Sequence, residues 1–186
     1  MLPIILTDIK SPITYLPAAF AIAVALTLLS LLFTYLRTHT IKLTRRHLVV
    51  FLLIVYVYTV NQLAFFSRPP GSRNTISLIP GETWGTSIQS HAYVIENILM
   101  TIPLGIFLRT LWPGRRTARS LADCLSVSLA CSIAMETAQL LTQRGHCQID
   151  DVLTNVAGAL VGWTIAHIGL KIASAVGRLS GGHKES

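Results

Sequence analysis

Five apolar stretches dominate the chain, each close to the ~20 residues that a helix needs to cross a bilayer. They run over residues 13–36, 48–66, 93–111, 121–141 and 152–173. In hydrocarbon every backbone N–H and C=O must find an internal partner, which leaves only helices and closed barrels. The second stretch is rich in β-branched and aromatic residues, but strands seldom reach its length. The expected fold is therefore all-α. It is one polytopic transmembrane bundle of five helices occupying residues 1–186, with no soluble domain attached. Residues 1–12 read as a short lead and GRLSGGHKES as a polar tail. No basic region precedes a small-residue cleavage site, so no removable signal peptide is expected.

The connections set the orientation. Residues 67–91 form the longest one, dense in Pro, Gly and Ser, a composition that breaks helices and favours turns. Its Ile76, Leu78, Ile79 and Trp84 suit a membrane interface. The loop at 37–47 carries Arg37, Lys42, Arg45 and Arg46, and the third connection carries Arg109, Arg115, Arg116 and Arg119. Lys171, Arg178 and Lys184 follow the fifth stretch. The other side receives Lys10, Arg68, Arg73 and Arg144 alone. Basic loops stay in the cytoplasm, so the N-terminus is expected outside and the C-terminus inside, in a bacterial cytoplasmic membrane. This distribution also removes nucleic acid from the partners. The net charge of +7 is the cytoplasmic flank of membrane helices, with no basic face for phosphates.

With that orientation the polar residues of the apolar stretches gather near the outer side. Arg68 leaves the second helix, and Glu96 and Asn97 sit in the first turns of the third. Glu136 and Gln139 come near the end of the fourth, with Glu136 roughly 9 Å below Thr142 at about 1.5 Å per residue. Arg144 lies in the next loop. Asp150 and Asp151 open the fifth helix, and Asn155 follows one turn later. Towards the cytoplasm, Asp123 and His167 stand isolated. Ser128, Ser132 and Glu136 recur every four residues, as do Asn97, Thr101 and Gly105, so each set makes one stripe. Gly158 and Gly162 allow close backbone approach to the third or fourth helix. Ionisable groups inside a membrane are costly, and function is the default explanation for them.

Bland roles compete at several positions. Ser128 and Thr101 can bond their own helix backbone, and Asp150 or Asp151 can cap the fifth helix. Glu136 needs a partner, and Arg68 and Arg144 are the outer cations within reach. His146-x-x-x-Asp150 has a ligand-like spacing. The ligands nevertheless come from loops, with no HExxH-type helix, so neither metal nor cofactor is expected. Three cysteines without a CxxC pair give neither a disulfide framework nor a zinc ribbon.

The ordered set resembles the VanZ-like family. Its residues are Leu78-Ile79-Pro80 after Arg68, then Asn97-x-x-x-Thr101-x-Pro103-x-Gly105, and then Glu136-x-x-Gln139 and Arg144. Asp150-Asp151-x-x-x-Asn155-x-x-Gly158-x-x-x-Gly162 completes it. The likeness covers residues 60–165. Thr101 replaces an aromatic or large apolar residue usual in the family, and the loop RGHCQIDD has Gln148 where an acidic residue is usual. The resemblance implies a membrane protein of the cell envelope, similar to one linked with low-level resistance to the glycopeptide antibiotic teicoplanin. It implies no particular reaction.

Three functions are compatible with these residues. The first is binding in an outward-facing pocket formed by Arg68, Asn97, Glu136, Gln139, Arg144, Asp150, Asp151 and Asn155. Its ligand would be a lipid headgroup, a cell-wall precursor or a glycopeptide-type amphiphile, with the arginines on phosphate or carboxylate. The second is an enzyme acting on a lipid-linked envelope substrate through Glu136 and Asp150 or Asp151. The third is transport, for which five spans are few and the polar stripe stops short.

Overall fold

The computed structural model describes residues 2–71, 75–85 and 87–181, and five helices carry the architecture. Helix α1 spans Leu2–Thr38 and α2 spans Arg45–Asn61, which continues as a π-helical turn over Gln62–Phe66. Helices α3 (Ile88–Leu111), α4 (Thr117–Leu141) and α5 (Ile149–Gly181) follow. Two short strands, β1 (Ile76–Ser77) and β2 (Cys147–Gln148), pair in parallel between the connections. All five helices are long and apolar enough to cross a membrane, as expected. Residues 2–12 are helical and extend α1 beyond the expected span. Arg73 and Lys184, used in the charge count, lie outside the described residues.

Local chemistry sets several helix ends. At the start of α2 the Thr44 backbone N–H donates to His47 Nδ1 at 3.2 Å. The Ser87 hydroxyl accepts from the Ser90 N–H at 3.0 Å and caps α3. Helix α3 passes through Pro103 without a break. Proline removes the donor for the Leu99 carbonyl, and the Tyr56 hydroxyl of α2 donates to the neighbouring Met100 carbonyl at 3.0 Å.

Helices α3 and α5 run parallel, since Asn97 meets Asp151 towards one end and Arg109 meets His167 towards the other. Glycine makes this contact possible. A Cβ on Gly105 would fall on the Ala159 carbonyl, one on Gly158 on the Ile98 carbonyl, and one on Gly162 on the Ile102 carbonyl. The Gly158–Gly162 face thus packs on α3 and not on α4. Helix α4 runs antiparallel to α5, with Ser132 against Asn155 and Ser120 against Trp163.

Helix α4 is built inside out relative to a soluble amphipathic helix. Its buried residues are Ser120, Cys124, Ser128, Ser132, Glu136 and Gln139, while Leu125, Leu129 and Ile133 are exposed. Lipid rewards apolar exterior faces, so small and polar side chains turn inward to allow close packing and hydrogen bonding. Buried Cys124, Ala159 and Trp163 form an apolar cluster, flanked by Leu108 and Leu121. Helix α1 lies at the periphery, burying Ala19 and Ala23 and touching α2 through the edge-on pair Phe20–Phe51.

The expectation that Asp123 and His167 stand isolated is not met. Asp123 pairs with Arg115 at 2.6 Å. His167 stacks on Trp163 with ring centroids 4.8 Å apart and accepts from buried Arg109 at 3.3 Å. Arg109 also donates to the carbonyls of Trp112 and Pro113, tying the α3–α4 turn to α3 itself. Arg109 lies on α3 and His167 and Trp163 on α5, so only folding brings this network together and the sequence does not display it.

Candidate functional site

A cavity of about 670 Å³ opens between α2, α3 and α4, with Leu16 of α1 and Asp151 and Asn155 of α5 in its wall. Its two parts differ in chemistry. Along α2 and α3 the lining is Leu52, Val55, Tyr56, Leu63, Met100 and Phe107. At the end where α3 and α5 begin it becomes polar, with Arg68, Glu96, Asn97, Glu136, Gln139, Asp151 and Asn155. The structure thus brings six of the eight expected pocket residues to one wall and adds Glu96.

The other two, Arg144 and Asp150, stand behind that wall. Arg144 donates to the Arg68 carbonyl at 2.7 Å and to those of Phe65 and Phe66 at 3.5 Å, with its guanidinium over the Phe65 ring. Gln139 Nε2 donates to the Ala64 carbonyl at 2.7 Å. Helix ends leave carbonyls without donors, and these two α4-side residues satisfy those of the π-helical turn. That fixes where Arg68 leaves the backbone. Asp150 accepts from the Gly81 N–H at 2.7 Å and the Thr83 N–H at 2.8 Å, so its carboxylate organises the long connection. Gly81 has φ +87°, a conformation that favours glycine.

Glu136 is buried and bonds through Oε2 to the Gln148 N–H at 2.9 Å. Its partner is therefore a backbone amide, and the side chain at 148 does not enter. Asn97 Nδ2 donates to Asp151 Oδ1 at 2.8 Å, joining α3 to α5. Asn155 Nδ2 donates to Ser132 Oγ at 2.9 Å, joining α5 to α4. Arg68 exerts an attractive field on both Glu136 and Asp151. Among the described residues, however, neither carboxylate has an arginine within 4.0 Å. A Cβ on Gly145 would lie 2.9 Å from Arg68 Nη1 and 3.0 Å from Gln139 Oε1, so both groups converge on that glycine.

The neighbouring loop has its own electrostatics. Burial, reinforced by the charges of Glu136 and Asp151, pushes the Cys147 thiol above its ordinary value. His146 bonds to Thr75, and His91 packs at a tilt against Trp84 with ring centroids 4.5 Å apart. Neither histidine lines the cavity. Among the described residues, no three His, Cys, Asp or Glu side chains converge in a way that could hold a metal ion.

Sequence reading found the polar end but not the apolar part. One signal for it exists in α2, where Leu52, Tyr56, Thr59 and Leu63 follow helical spacing on a single face. In a helix that is apolar all round, that face is indistinguishable from a lipid-facing one until its neighbours are placed.

The VanZ/LLP1 family model matches residues 24–170. The chain belongs to this family. The match begins inside α1, so VanZ/LLP1 likeness takes in the C-terminal part of the helix that the motif resemblance over 60–165 left outside. The shared region contains both parts of the cavity wall beyond Leu16. No curated protein and no solved structure matches the chain.

Proposed function

We propose that this VanZ/LLP1 membrane protein binds an amphiphile, with the head at the polar end of the cavity and the chain along α2 and α3. The observation that carries the reading is the division of one cavity into a charged end and an apolar remainder. Ligand sites generally combine apolar walls with a few placed polar groups. Fixed in this way, the head would rest among Arg68, Glu136, Gln139, Asp151 and Asn155. Arg144 and Asp150 would act by positioning. Lysine and arginine bias puts the basic loops in the cytoplasm. On that orientation the polar end faces outward from a bacterial cytoplasmic membrane, where envelope lipids, lipid-linked wall precursors and glycopeptide-type amphiphiles are met. An antibiotic-resistance-like role follows from sequestering such a molecule.

Native mass spectrometry on the detergent-purified protein tests this reading against Leu63→Trp, which fills the apolar part. An amphiphile that accompanies the wild-type chain and leaves the variant supports binding. Protein that carries none in either form overturns it. Glu136 and Asp151 in one cavity also favour a second reading, hydrolysis of a lipid-linked substrate. Its mark would be conversion of the retained molecule by wild type and not by Asp151→Asn.

A further inference from the structure

The polar end holds two buried acceptor oxygens without a partner among the described residues. Gln139 and Asn155 are more than nine-tenths buried and line the cavity, yet Gln139 Oε1 and Asn155 Oδ1 have no hydrogen-bond partner among the described residues. The Gln139 amide orientation is fixed because its nitrogen meets the Ala64 carbonyl, which can only accept. A buried polar atom without a partner carries a desolvation penalty that a ligand can relieve. Several donors of the wall are already engaged. The hydroxyls of Tyr56, Thr59 and Ser67 donate to the carbonyls of Met100, Val55 and Leu63. The amide nitrogens of Asn97, Gln139 and Asn155 each donate within the protein. Arg68 is the one cation among the residues lining the cavity.

Charge points the same way. The charged residues lining the cavity are Glu96, Glu136 and Asp151 against Arg68. An anion meets one guanidinium in a wall where acidic side chains outnumber basic ones. A group with several N–H donors and a positive charge satisfies both the orphan oxygens and the acidic excess.

We infer that the polar end of the cavity takes a lipid head bearing a primary ammonium, an ethanolamine-type zwitterion with its phosphate on Arg68 and its ammonium among Asp151, Asn155 and Gln139. The inference rests on the amphiphile reading above and names the head that reading leaves open. A quaternary trimethylammonium carries the same charge but has no N–H, so it cannot satisfy the orphan acceptors. A glycerol head has hydroxyl donors but leaves the lipid with a net negative charge.

The test is a competition in nanodiscs containing equal amounts of phosphatidylethanolamine, phosphatidylcholine and phosphatidylglycerol with identical acyl chains. Lipid retained by the full chain on release from the disc is identified by native mass spectrometry. The expected result is retention of phosphatidylethanolamine over phosphatidylcholine by about tenfold, the equivalent of one charge-assisted hydrogen bond. Asp151→Asn, which keeps the shape of the wall, is expected to erase that preference. Equal retention of the three lipids, or preference for phosphatidylglycerol or phosphatidylcholine, overturns the head assignment and leaves amphiphile binding standing. Retention of no lipid overturns both. The wild-type comparison decides by itself if the variant does not fold.

Discussion

Arg144 holds Arg68 by its backbone, the guanidinium of one donating to the carbonyl of the other at 2.7 Å. Two arginines that look equivalent in the sequence therefore do different work. Arg68 faces the cavity, and Arg144 closes the π-helical turn that aims it. Arg144→Ala is expected to abolish ligand retention although residue 144 does not line the cavity. Arg144→Lys should not restore it, because three carbonyls and an aromatic face need a planar fork. Native mass spectrometry of the two variants beside Arg68→Ala checks this, and full retention by Arg144→Lys would sink the idea.

Glycine substitutions should separate packing from propensity. Gly105→Ala and Gly162→Ala each drive a methyl group into a carbonyl of the facing helix. Each is expected to destabilise by about 1–3 kcal/mol or more. Gly169→Ala meets nothing within 4 Å and should be neutral or stabilising by up to about 1 kcal/mol. Thermal unfolding in detergent distinguishes these outcomes.

Glu136 has a structural duty that a conservative change should spare. Glu136→Ala leaves the Gln148 N–H without its acceptor, at a cost of about 1–3 kcal/mol. Glu136→Gln keeps an acceptor oxygen in place and should preserve the loop. Hydrogen exchange at the Gln148 amide reads the difference directly. Equal protection in both variants would show that the carboxylate is not what holds β2.

Cys147 supplies a pH readout. Its thiol is raised, so at any given pH less thiolate is present and alkylation is slower than for an ordinary cysteine. With Cys124 and Cys131 replaced by serine, the rate–pH curve of maleimide labelling is expected to lie on the alkaline side of a free thiol. Glu136→Gln removes one contributing charge and should move the curve back towards acid. A curve that coincides with that of a free thiol contradicts the environment described here.

Orientation is testable with the same chemistry. Glu82→Cys in the long connection should label from outside the cell with an impermeant maleimide, and Arg115→Cys should label only after permeabilisation. The opposite pattern would turn the polar end of the cavity towards the cytoplasm.

Much of this was legible in the sequence, for reasons that differ by residue. The helices follow from length and apolarity, because lipid allows few alternatives. The α4 stripe through Ser128, Ser132 and Glu136 was readable because its period matches the helix and its residues have no place in lipid. Arg144 and Asp150 were assigned to the pocket because sequence places them in the right neighbourhood. Their true partners are backbone groups some 70 residues away, Arg68 O for one and the Gly81 and Thr83 amides for the other. Backbone donors and acceptors are the same at every position, so no residue type advertises them. The network around Arg109 and His167 was hidden for a related reason, since the parallel register of α3 and α5 is set by glycines and not by the polar residues it aligns.

The long connection is held at several points by what comes after it. Thr75, Ile76 and Ser77 pair with Cys147 and Gln148, and Gly81 and Thr83 depend on Asp150. Chains are made and inserted from the N-terminus. While α1, α2 and α3 are entering the membrane, these partners of the segment between α2 and α3 have not yet been made. The π-helical turn likewise waits for Gln139 and Arg144. The polar wall of the cavity is thus completed only with the last helix, and a ribosome that stops before residue 147 leaves spans in the membrane without Asp151 and Asn155.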